Sequence, residues 1–205
     1  PCRILPADLA DEADCARLCA ALAGENIDIF INNAGFGVCG SYLETDAARE
    51  EEMIKVNVAA MARLFHFAVR KMDAAGSGTI LNVASSAGLL PGGPYMAGYY
   101  ASKAYVVSLT RGVAEELREN RSPVYVCALC PGPVNTEFND RAGVVFALKG
   151  ITPEFCVEEA LLGMMHHKTV IVPSAFMRLC TGAQKLLPTP LLMPIVARQQ
   201  KKKLG

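Results

Sequence analysis

Residues 27–35 read "IDIFINNAG". A short apolar run that halts at two asparagines and a glycine has the pattern of a parallel strand buried on both faces. Three later runs repeat the pattern: "TILNVA" at 79–84, "SPVYVCALCPGP" at 122–133, cut off by Pro131 and Pro133, and "KTVIVP" at 168–173. "RILPADL" at 3–9 reads as a further short strand ending in a turn. Between the runs lie helical stretches at 11–23, with acidic residues in the first turn, at 46–75 and at 99–120, and a loop with a short helix over 133–165. Strand and helix alternate throughout, which predicts an α/β protein with a mainly parallel sheet. No internal repeat or low-complexity segment interrupts the alternation.

The chain has 205 residues, 52% of them apolar, which suits one domain with a sizeable core. Lysine plus arginine and aspartate plus glutamate both total 20. That balance carries no electrostatic footprint of a nucleic-acid binder. Eight cysteines are scattered rather than paired into a framework. Cys127 and Cys130 form a single "CALC" within a strand pattern, where residues three apart face opposite sides. His166 and His167 are adjacent. The expectation is therefore no metal site, with buried reduced thiols and a cytoplasmic setting. No secretory signal stands in "PCRILPADLADEAD", and no run reaches the ~18–20 apolar residues of a membrane span.

The expected division is an α/β domain over 1–173 and a C-terminal apolar arm with a basic end over 174–205. The arm carries Pro188, Pro190, Pro194 and many Leu and Met, and ends "RQQKKKLG". It reads as a segment packed on the domain or on a subunit. The competing reading is a basic surface segment in weak contact with anionic membrane.

Chemistry concentrates in residues 32–136. In "GYYASKAY" at 98–105, Tyr99 and Lys103 are spaced i, i+4 and Tyr100 and Lys103 i, i+3. Spacing alone leaves both tyrosines as candidates. A nearby lysine cation favours the phenolate, which suits a tyrosine for proton exchange. "INNAG" at 31–35, "NVASSAG" at 82–88 and "CPGPVNT" at 130–136 each end a strand, and open α/β sheets place their sites at the carboxyl ends of strands. Asn57 lies within a helical stretch, an unfavoured place for an asparagine without a task for its side chain.

In kind, order and approximate spacing these motifs resemble the short-chain dehydrogenases/reductases: "DL" at 8–9, "NNAG" at 32–35, Asn57, "SSAG" at 85–88, "YYASK" at 99–103 and "PGPVNT" at 131–136. The resemblance reaches to about Pro173 and is nearest to bacterial hydroxysteroid-dehydrogenase-like oxidoreductases. It implies a Rossmann-like, doubly wound parallel sheet and an NAD or NADP cofactor. It implies Tyr99 as general acid/base, Lys103 on the nicotinamide ribose, a serine that polarises the carbonyl, and Asn57 in a proton relay. The family's Ser-x-x-Gly falls on Ser85 and Gly88, whereas counting thirteen back from Tyr99 lands on Ser86. A one-residue insertion in "LLPGGPYMAG" reconciles the two and favours Ser85. By the same resemblance Asp8 and Leu9 border the adenine. Asn33, Ala34 and Gly35 border the adenosine ribose, and Pro131, Gly132, Val134 and Thr136 frame the nicotinamide. A small-molecule alcohol or ketone and a homodimer or homotetramer, paired through helices 46–75 and 99–120, complete the implied picture.

The family's first βαβ unit, with its glycine-rich turn, has no counterpart in these residues; "GFGVCG" at 35–40 follows "INNA" and reads as a loop. Roughly 45–55 residues of the family pattern are thus expected upstream of residue 3. Without them the strand at 27–33 is expected to form an open apolar edge, and tight dinucleotide binding is not expected. The rival expectation is a cofactor-free remnant that serves as a binding or dimerisation partner. Apolar residues in the loop at 133–152 and in the arm point toward a lipophilic substrate, such as a steroid or acyl compound.

Overall fold

The computed structural model describes residues 2–136 and 150–201. Four strands form one sheet: β1 (Ile29–Asn32), β2 (Gly78–Val83), β3 (Val124–Leu129) and β4 (Val170–Ile171). They lie in the order β1-β2-β3-β4, and every pairing is parallel. The register sets Asn32 beside Asn82, and Val83 beside Leu129. All the strands therefore end at one rim.

Helices cover both faces, as a doubly wound sheet requires. Alternating side chains of a strand point to opposite faces. Ile80, Val126 and Ala128 pack on one side with Phe65 and Met72 of α3 (Met61–Ala75) and Val106 and Val107 of α4 (Ala97–Glu119). Leu81, Cys127 and Leu129 pack on the other side with Cys156 and Ala160 of α5 (Pro153–Met165). Each fully buried side chain of valine size or larger contributes roughly 1.5–3 kcal/mol. Cys130 joins the first cluster and Cys127 the second, so the sheet separates the two thiols of "CALC".

Three expectations are corrected. Residues 3–9 form no strand, and Ile4 is 82% exposed. A strand requires a neighbour, and among the described residues β1 pairs only with β2. Next, β1 is not buried on both faces: Ile29 and Ile31 are 58% and 56% exposed, while Asn32 points inward and is buried. α1 (Glu12–Leu22) packs against α3. Finally, the helix expected over 46–75 is interrupted. It runs as α2 (Ala47–Ile54), a π-helical stretch (Lys55–Ala60) and α3.

The C-terminal arm folds into α6 (Ala175–Ala183), a short 3₁₀ turn (Gln184–Leu186) and α7 (Thr189–Lys201). Leu192 and Val196 of α7 are buried against Met53, Met96, Tyr99 and Tyr100. The arm therefore lies over the rim where the strands end. Among the described residues no helix is long and apolar enough to cross a membrane.

Candidate active site

A cavity of about 750 Å³ opens at that rim. Asn33 and Gly35 after β1, Ser85 and Ser86 after β2, and Pro131, Gly132, Val134 and Thr136 after β3 all line it. So do Tyr99 and Lys103 from the first turns of α4. Segments far apart in sequence converge because parallel strands deliver their carboxyl ends to one edge.

Ser85 caps the 3₁₀ turn Ser86–Leu89, and its Oγ accepts from the N–H of Ala87 at 3.1 Å. That leaves the serine proton to be donated, and the Ser85 hydroxyl works to lower the Tyr99 pKa. Gly88 follows three residues on because its Cα presses on α4: a Cβ there would stand 2.4 Å from the carbonyl oxygen of Lys103. The Ser-x-x-Gly spacing thus docks the turn on the helix that carries the tyrosine. The neighbouring Ser86 donates its backbone N–H to the carbonyl of Pro131 at 2.8 Å.

Tyr99 is buried, and burial pushes its pKa up to about 12, with the Ser85 hydroxyl opposing. The phenol therefore holds its proton at neutral pH. The expected depression by lysine is not among the causes acting on Tyr99: burial raises its pKa and the Ser85 hydroxyl alone opposes. Lys103 is 5% exposed; its Nζ donates to the carbonyl of Val83 at 2.9 Å and stands 5.9 Å from the centroid of the Tyr99 ring. Desolvation lowers its pKa to about 8, with Cys130 working the other way. The ammonium form is thus the costly one at this position.

Asn57 lies in the π-helical stretch and is 1% exposed. Such stretches break the regular i→i−4 ladder and are frequent at functional sites. Its side chain holds the loop after β1: Oδ1 accepts from Phe36 N at 3.1 Å, and Nδ2 donates to Phe36 O at 2.8 Å and to Ser102 Oγ at 3.1 Å. Gly35 fits beside it only without a side chain, since a Cβ would stand 2.8 Å from Asn57 Oδ1 and 3.3 Å from Lys103 Nζ.

Other expected residues are not brought to the cavity. Asp8 is exposed and serves the turn before α1, its Oδ1 accepting from Ala10 N at 2.9 Å and its N–H reaching Asp14 at 2.8 Å. Leu9, Ala34 and Asn57 do not line the cavity. Most of the loop at 133–152 lies outside the described residues. Among the described residues no histidine, cysteine or carboxylate cluster could hold a metal ion.

Two features escaped the sequence reading. Asn32 Nδ2 donates to Asn82 Oδ1, Asn82 Nδ2 to Thr110 Oγ1, and Thr110 Oγ1 to Val106 O, at 2.9, 2.9 and 2.7 Å. This buried polar ladder ties β1 and β2 to α4. The available signal was a pair of asparagines at strand positions otherwise held by apolar residues. The second feature is the lining contributed by Leu192, Val196 and Gln200 of α7.

Comparison with known proteins agrees with this geometry. A family model described as short chain dehydrogenase matches residues 2–143. The D-beta-hydroxybutyrate dehydrogenase of Rhizobium meliloti is 31% identical over 164 residues, 77% of this chain and 61% of that protein. The chain thus spans about three fifths of that relative's length. A short-chain dehydrogenase from Sphingobium yanoikuyae, solved in complex with NADPH, superposes with a TM-score of 0.75 at 31% identity, covering 88% of this chain and 72% of that one. A bulky-bulky ketone specific alcohol dehydrogenase from Comamonas testosteroni gives 0.71 at 27% identity, covering 89% and 71%. Parallel sheet, rim cavity and matched residues together place the chain in the short-chain dehydrogenase family.

Proposed function

We propose that this protein is an NAD(P)-dependent oxidoreductase that interconverts a lipophilic secondary alcohol and its ketone. The carrying observation is that Ser85, Tyr99 and Lys103 line one cavity, with Lys103 Nζ 5.9 Å from the centroid of the Tyr99 ring. The nicotinamide half of the cofactor fits the residues present: a buried cation at Lys103, with Asn33, Gly35, Pro131, Gly132, Val134 and Thr136 lining the same cavity. Asp8 and Leu9, assigned to the adenine, stand away from this cavity. When bound, the dinucleotide supplies or takes the hydride at the reacting carbon.

The chain's own residues handle the oxygen and its proton. Tyr99, held protonated by burial, donates its phenolic proton to the substrate oxygen as negative charge develops there. Ser85 gives its hydroxyl proton to the same region and steadies the developing charge. Lys103 places a positive charge beside the tyrosine left behind. Asn57 positions rather than reacts, since its amide is committed to Phe36 and Ser102.

Leu90, Met96, Phe176, Met177, Leu192 and Val196 give the cavity an apolar wall, and its volume falls within the ~300–1,000 Å³ of small-molecule sites. That supports a bulky apolar substrate. The arm at 174–205 acts in this reading as the substrate-side cover of the 1–173 domain. Exposed Ile54 and Tyr105 support self-association through α2–α3 and α4, and the free cysteines support a cytoplasmic setting.

The test is fluorescence titration with NADH and NADPH, followed by nicotinamide absorbance with a ketone panel. Both are done on the chain and on a form extended upstream. The reading expects saturable binding by the extended form, and turnover by it that Tyr99→Phe abolishes. Binding of neither dinucleotide by either form overturns it and favours a non-catalytic partner.

A further inference from the structure

Gln200 is the last glutamine of α7 and is 2% exposed. Its Nε2 donates to the Tyr100 hydroxyl, across 100 residues of chain. Its Oε1 is buried and has no hydrogen-bond partner among the described residues. Both residues line the cavity, together with Met96, Leu192 and Val196. An unpaired buried amide oxygen costs about 1–3 kcal/mol, so its presence in a ligand cavity calls for a partner from the ligand.

We propose that Gln200 and Tyr100 form a second recognition point that reads a hydroxyl on the substrate, at the end remote from the carbon that reacts. The inference rests on the alcohol/ketone reading of the site and deepens it. A hydroxyl both donates and accepts. It gives its proton to Gln200 Oε1 and accepts the proton of Tyr100, whose oxygen already accepts from Gln200. Turning the amide over leaves the match intact: Tyr100 then donates to Oε1, and Nε2 is offered to the hydroxyl oxygen. A purely apolar ligand end satisfies neither arrangement. The Tyr99 and Tyr100 rings stand edge to face with centroids 6.4 Å apart, so one small molecule can touch both tyrosines. The substrate class is therefore an apolar skeleton carrying two oxygen functions, one at Tyr99 and one at Tyr100.

The experiment is calorimetric titration of the full chain with 2-alkanones of roughly six to twelve carbons, sizes suited to such a pocket, and with their ω-hydroxy counterparts. It is run with and without NADP⁺. At the best-fitting length the hydroxy ketone should bind about tenfold tighter than its parent, the worth of one buried hydrogen bond. Gln200→Met and, independently, Tyr100→Phe should reduce that preference below about twofold while the parent ketone's affinity stays within about twofold. Equal binding at every length, no binding at all, or a preference that survives both variants overturns the proposal. Nicotinamide-linked reduction of the same ketones is measured separately. Its absence defeats the dehydrogenase reading even where the hydroxyl preference is found.

Discussion

Asn57 grips Phe36 by both polar groups of that residue's backbone, through contacts of 3.1 and 2.8 Å, from inside a π-helical stretch. The loop that ends β1 is thereby fixed to the helix that covers the sheet. Asn57→Ala leaves the Phe36 N–H and C=O and Ser102 Oγ short of partners in a buried place. The expected loss is about 3 kcal/mol in unfolding free energy. Urea denaturation checks it, and a loss under about 1 kcal/mol would remove the loop-fixing role.

Ser85 and Ser86 both line the cavity, and it is the Ser85 hydroxyl that works to lower the Tyr99 pKa. Under the proposed reaction Tyr99→Phe lowers turnover by about 10²–10⁴, the usual worth of a placed general acid. Ser85→Ala should lower kcat at least tenfold more than Ser86→Ala does. Steady-state kinetics with one ketone separates the serines, and the reverse order would move the role to Ser86.

The parts of this site legible in the sequence are those written in local spacing. Tyr99 and Lys103 share a helix face by their separation, and Asn57 stood out because helices disfavour asparagine. The two serines could not be resolved by counting, since the choice depends on how the 3₁₀ turn at 86–89 docks Gly88 on Lys103. The strand expected at 3–9 failed for a related reason. An apolar pattern states that a segment can pair, and it does not state which neighbour is beside it. Gln200 was invisible, because its role appears only when α7 folds back over the rim to reach Tyr100.

Cys127 and Cys130 are fully buried on opposite faces of the sheet, and burial pushes the Cys130 thiol up to about 12. Thiols in that state do not react as thiolates. Cys2 and Cys180 are exposed. Mass spectrometry after brief alkylation of the native protein should show Cys2 and Cys180 modified, and Cys127 and Cys130 modified only after unfolding. Rapid native labelling of Cys127 or Cys130 would restore the case for a working thiol pair.

Lys103 is the group that should shape stability above neutral pH. Its folded pKa is about 8, below the ordinary lysine value of 10.5. Between those values the unfolded chain binds more protons than the folded one, so stability rises with pH across that window. Below about 8 the buried ammonium exerts its full cost. Tyr99 and Tyr100 act in the opposite sense at higher pH: both are pushed from 10 up to about 12, so stability falls as pH climbs through that range. Cys130, pushed from 9 up to about 12, also lowers stability as pH climbs past 9. Urea midpoints should therefore increase from pH 7.5 to about pH 8.5 and decline beyond about pH 10. Lys103→Met should abolish the rise while leaving the decline in place. A rise of equal slope in wild type and Lys103→Met would show that another group is responsible and that the ammonium is not paying a burial cost in the native cavity.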